Sequence, residues 1–145
     1  MRVSSSAWKR LSSMLTGPLI FPGDKGYESA VQSLNLRYAS KRAAAVARCT
    51  SPKDVSQCLV WCADFNYPFA VKSGGHSYAG YSRTNGLLVD LSLMNDCSYD
   101  PATGILHVSG GALIRDLLMV LKGRGRAFTH GQRWLGLFEQ FWCVS

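Results

Sequence analysis

The chain has 145 residues, a size that suits one domain or a piece of a larger one. It is 47% hydrophobic and 17% charged, so it can bury a core, and no run reaches the roughly 18 apolar residues of a membrane-spanning helix. The net charge of +7 is scattered, with small clusters at Lys41–Arg42 and Arg124/Arg126; without a long basic run or a basic–aromatic stripe, it points to a solvated face or a site for one phosphorylated cofactor, not to nucleic acid.

The N-terminus carries no acidic residue before Asp24, and mixes Arg2, Lys9 and Arg10 with Ser4, Ser5, Ser6, Ser12 and Ser13. That composition is shared by mitochondrial transit peptides. The same residues form an ordinary helix over 1–14, capped near Ser6, with Trp8, Leu11 and Leu15 on one face, and this is the preferred reading. No compact apolar segment marks a secretory signal, so a cytoplasmic location is expected ahead of a mitochondrial one.

A Gly/Pro-rich connection, residues 17–24, leads to a short helix over 27–34. Residues 43–49 suit a buried strand. Ser51, Pro52 and Asp54 form a helix start: a capping hydroxyl, a proline at the first helical position and a carboxylate at the positive end of the dipole. That helix runs to about Phe65 and stops before Pro68. Strands follow at 69–71 and 86–91, then a hairpin of 97–99 and 105–109 around Asp100-Pro101-Ala102-Thr103-Gly104. A last helix spans 112–122, with Leu113, Leu117, Val120 and Leu121 on one face, and ends at the glycines 123 and 125.

The order predicts an α+β fold, a small mixed sheet flanked by helices. The strands 44–49 and 69–73 are expected to pair in parallel across the 52–65 helix. Five cysteines, Cys49, Cys58, Cys62, Cys97 and Cys143, have irregular spacing. Cys58 and Cys62 fall on a helical stripe with Val55 and Leu59, which reads as core rather than as metal ligands. No His-x-x-x-His or Cys-x-x-Cys pair supports a zinc site, and no metal is expected.

The richest segment is Lys72-Ser73-Gly74-Gly75-His76-Ser77, at the end of the 69–71 strand. Paired glycines after a strand allow a turn whose N–H groups face an anion. Open α/β sheets hold ligands at such carboxyl ends. Three readings stay open on residue types alone: a pyrophosphate cradle using the backbone of 73–77 and both serine hydroxyls, a metal or catalytic histidine, and a plain turn with a structural histidine. The glycines do not follow the Gly-x-Gly-x-x-Gly spacing, and no Gly-x-Ser-x-Gly elbow occurs.

A longer pattern narrows these readings. It runs through Pro22-Gly23-Asp24, Tyr27, Asn35, Arg37, residues 47–55, 68–82, 86–95 and 100–104, then Gly110-Gly111-Ala112 and residues 125–131. In that order and spacing, residues 15–132 resemble the N-terminal FAD-binding region of the berberine-bridge-enzyme-like oxidases. These belong to the p-cresol-methylhydroxylase-type (vanillyl-alcohol-oxidase) flavoprotein superfamily. The resemblance implies an FAD-dependent oxidoreductase that oxidises a small molecule and passes the electrons to oxygen. It implies that Ser73, Gly74, Gly75, His76 and Ser77 wrap the FAD pyrophosphate. It further implies that His76 is the covalent flavin anchor, an imidazole nitrogen being a competent nucleophile. Lys72 stands where the family usually has arginine, keeping the charge without the planar fork. Asp90 and Met94 match the family's Asp-Leu-Ser-x-Met-Asn segment, His130 and Gly131 a segment near the flavin ring, and His107 is taken as structural.

After Gln132 the family continues Cys-Pro, whereas this chain has Arg133. Residues 133–145, rich in Trp and Phe, match nothing in the pattern. The expected organisation is therefore an N-terminal helix (1–14), an incomplete FAD-binding domain with the start of a second subdomain (15–132) and a divergent tail (133–145). A frameshift, retained intron or alternative exon would make this a truncated product, with the substrate domain and catalytic base beyond residue 145. The competing expectation is a non-catalytic remnant or interaction module whose aromatic tail docks on a partner.

Overall fold

The structure, a computed structural model, describes residues 3–32 and 35–129. Helix α1 (Ser5–Met14) begins at Ser4, whose hydroxyl accepts from the Ala7 N–H at 3.3 Å, two residues ahead of the expected cap. Strand β1 (Leu19–Ile20), the short helix α2 (Tyr27–Ala30) and a single 3₁₀ turn (Leu36–Tyr38) lead to β2 (Ala45–Arg48). Helix α3 (Pro52–Asp64) has the predicted start, with the Ser51 hydroxyl accepting from the Asp54 N–H at 3.3 Å. Strands β3 (Phe69–Lys72) and β4 (Leu87–Asp90) follow. The hairpin β5 (Cys97–Asp100) and β6 (Ile105–Val108) and helix α4 (Ile114–Lys122) complete the described part.

Four strands form one sheet in the order β1-β2-β4-β3, with β1 antiparallel and the other three parallel. The expected direct pairing of β2 with β3 is not found, because β4 lies between them. The physical reason is apolarity. All four residues of β4 are buried, as a central parallel strand covered on both faces must be, whereas Phe69 and Val71 of β3 are 46% and 41% exposed, which suits an edge.

Alternation along the strands builds two cores. Ala45, Ala47, Leu87 and Val89 face α1 and α3 in a cluster with Leu11, Cys58, Trp61, Cys62 and Tyr67. Val46, Leu88 and Ala70 face the other way, toward Tyr27, Ala30 and Val31. The small alanines of β2 leave room for rings: Trp8 and Trp61 lie 4.7 Å apart at 32°, and Tyr67 meets Trp61 edge-on at 5.5 Å. The Trp61 indole N–H donates to the Ala7 carbonyl at 3.1 Å, joining α3 to α1. On α3 the buried face is Asp54, Cys58, Trp61 and Cys62; Leu59, assigned to the buried stripe from spacing, is 38% exposed.

The β5–β6 hairpin is a separate two-stranded sheet against which α4 packs. Its loop closes as expected. The Asp100 carboxylate accepts from the Ala102 N–H at 2.9 Å and the Thr103 hydroxyl at 2.7 Å, and Gly104 exits at φ 73°. On α4, Ile114, Leu117 and Leu121 are buried; Leu113 is the N-cap residue rather than the first of the buried face. No described helix is long and apolar enough to cross a membrane.

Candidate nucleotide-cofactor site

Parallel register sets three charged residues side by side. Arg48 ends β2, Asp90 ends β4 and Lys72 ends β3, and Asp90 is the register partner of both cations. They open into a cleft of about 250 Å³ that is also lined by Ser29, Ala30, Ser73, Gly74 and Ser92. The cleft lies at the carboxyl ends of the parallel strands, where open α/β sheets bind ligands.

Asp90 is 3% exposed. Its Oδ1 accepts from the Ser92 N–H at 2.9 Å, and its Oδ2 stands 3.7 Å from Arg48 Nε. Arg48 Nη2 reaches the Ser92 hydroxyl at 3.4 Å. Two cations against one carboxylate leave the floor with a positive excess. Arg48 Nε is buried and has no hydrogen-bond partner among the described residues.

Lys72 Nζ donates to the Ala30 carbonyl at the end of α2. Arg83 does the same for neighbouring backbone, donating to the carbonyls of Val31 and, at 2.9 Å, Lys41. Two long cationic side chains thus hold the last carbonyls of a four-residue helix that could not persist alone. Ser73 is 4% exposed and its hydroxyl donates to the Gly110 carbonyl, tying the loop to the connection before α4. Gly75 takes φ 70°, and a Cβ there would come within 2.9 Å of Lys72 Cε. Ser77 accepts from the Tyr81 N–H at 3.1 Å, so both serine hydroxyls expected at the cradle are engaged by the backbone.

Lys72, Ser73 and Gly74 therefore line the cleft, whereas His76 and Ser77 lie further along the loop, half-buried. His130 and Gly131 fall outside the described residues. Met94 is structural: its N–H donates to Leu91 and its carbonyl accepts from Gly111, and its side chain packs on the first core cluster. Arg48 and Ser92 were not singled out from the sequence. The signal existed in Arg48, the last residue of a strand before a helix start, but its neighbours depend on β4 being central.

Fold and cleft together describe an α+β domain with a mixed sheet and a basic cleft at the carboxyl ends of its three parallel strands. Residues 43–134 match the FAD binding domain family, and the chain belongs to that family. Over 119 residues it is 37% identical to the carbohydrate oxidase of Microdochium nivale, covering 79% of this chain and 24% of that protein. The (R)-6-hydroxynicotine oxidase of Paenarthrobacter nicotinovorans is 31% identical over 118 residues, covering 81% and 26%. The crystal structure of the Microdochium enzyme superposes with a TM-score of 0.77 at 32% identity, over 88% of this chain and 28% of that one. A BBE-like protein of Physcomitrella patens gives 0.71 at 25% identity, over 80% and 26%. The chain spans about a quarter of the length of the curated relatives it matches.

Proposed function

We propose that this chain supplies the diphosphate-binding part of an FAD-dependent oxidoreductase acting on a small molecule. The Ser73–Ser77 loop borders the pyrophosphate and His76 is the covalent flavin anchor. The observation that carries the reading is the row Arg48–Asp90–Lys72 across the ends of three parallel strands, beside the glycine loop. The residues fit a diphosphate. The floor has excess positive charge, a buried guanidinium nitrogen lacks a hydrogen-bond acceptor, and Gly74 lines the cleft with no side chain to obstruct approach to its backbone. When bound, FAD would accept a hydride from the substrate and give the electrons up to oxygen. Ser73 fixes the start of the loop, Lys72 holds α2 beside it, and His76 brings an imidazole nitrogen for attachment. His130 and Gly131 are assigned to the flavin ring on family resemblance alone.

The test is calorimetric titration of the 145-residue chain with ADP and FAD, then acid precipitation of the FAD-treated protein. ADP and FAD are expected to bind. Flavin absorbance should stay with the precipitate, and should be lost from it in His76→Ala while ADP binding persists. A folded chain that binds neither nucleotide overturns the reading; flavin released by acid removes only the covalent bond.

A further inference from the structure

Arg48 is under-used by the protein around it. A guanidinium has five donors in a planar fork and pairs with carboxylates at about 2.7–2.9 Å when the pair is its purpose. Here the approach of Nε to Asp90 is 3.7 Å, too long for a hydrogen bond, and Nη2 reaches Ser92 at 3.4 Å, the outer limit. Asp90 obtains its close bond from the Ser92 N–H instead. The side chain is one-third exposed and lines the cleft, with Nε buried and lacking a hydrogen-bond acceptor. The other cation, Lys72, spends a donor on the Ala30 carbonyl.

We infer that Arg48 is an anion-binding residue of this site. Its guanidinium takes phosphate oxygens of a nucleoside diphosphate ester, and Asp90 steers it by charge without saturating it. The inference rests on the FAD reading but concerns a residue outside the glycine loop, on a different strand. Bidentate capture of phosphate is what arginine does better than lysine. Lys72 contributes a point charge without a planar fork, and the fork is thus available from β2.

The experiment titrates inorganic pyrophosphate and ADP into the wild-type chain, Arg48→Met, Arg48→Lys and the double variant Arg48→Met/Asp90→Asn, with thermal unfolding of each. Arg48→Met should lose about 10- to 100-fold in affinity for both ligands, the scale of one charge-assisted hydrogen bond. Arg48→Lys should lose less than Arg48→Met. The double variant removes the carboxylate that Arg48→Met leaves unpaired, so it should regain stability while still binding weakly. Wild-type affinity in Arg48→Met, or its return in the double variant, overturns the inference and leaves the FAD reading standing. Failure of the wild-type chain to bind either ligand removes both.

Discussion

At the residue scale, Asp54 carries more than its place in the helix start implies. It is fully buried, and its carboxylate accepts from the N–H groups of Thr16 (2.8 Å), Gly17 (3.1 Å) and Thr50 (2.9 Å) and from the Thr50 hydroxyl (3.0 Å). Burial by itself raises its pKa, but these four bonds outweigh it, and the group sits below the ordinary aspartate value of 3.8. A carboxyl lowered by folding stabilises above its unfolded value, and that contribution is lost as pH falls through the lower folded value. Asp54→Asn should therefore cost roughly 2–4 kcal/mol at neutral pH, since an amide cannot accept from four donors and adds donors of its own. Urea unfolding at pH 7 and in acid checks this: the deficit of the variant should shrink in acid. An equal deficit at both pH values would contradict it. Lys72 shows the complementary case, a charge that donates to the α2 carbonyl of Ala30.

At the element scale the decisive strand is β4, inserted between β2 and β3. Its entry is tight. A Cβ on Gly86 would lie 1.8 Å from the Pro68 carbonyl oxygen, which itself accepts from the Leu87 N–H at 2.9 Å. Gly86→Ala must push β3 away from β4 and should cost several kcal/mol, about as much as a severe core change. Chemical denaturation measures it, with a loss under about 1 kcal/mol counting against the close approach. Local chemistry made most elements legible: Ser51-Pro52-x-Asp54 fixed the start of α3, and Asp100 with Gly104 closed the hairpin. Strand order was not legible, because the right pairing depends on which apolar run is covered on both faces. Leu-Leu-Val-Asp qualifies, whereas Phe-Ala-Val-Lys, with two exposed apolar residues, does not. The site followed the same division. The glycine loop stood out by composition, while Arg48 joined it only through register with Asp90, 42 positions later.

At the scale of the whole molecule, the sheet is covered on both faces and the three parallel strands deliver their charges to one edge. The larger core cluster also contains three thiols, Cys49, Cys58 and Cys62, none more than 2% exposed. The Cys58 thiol is pushed up by its hydrogen bond with Cys49 and by burial, and burial raises Cys62 to about 11. Thiolate is the reactive form, so these groups are doubly protected in the folded state, by lack of access and by lack of ionisation. Burial and the nearby Asp116 raise the Cys97 thiol as well, but Cys97 is only half-buried and so is better placed to react by access. The consequence is a clock inside the protein. With iodoacetamide in excess, Cys97 should be alkylated first of the four described cysteines, and Cys58 only as often as α3 lifts from the sheet, at a rate that climbs with urea. Mass spectrometry of peptides over a time course reads it, and Cys58 labelled as fast as Cys97 in native buffer would contradict the prediction. Because α3 follows directly from the strand that ends in Arg48, the same measurement made with and without ADP would report whether filling the cleft holds that helix down.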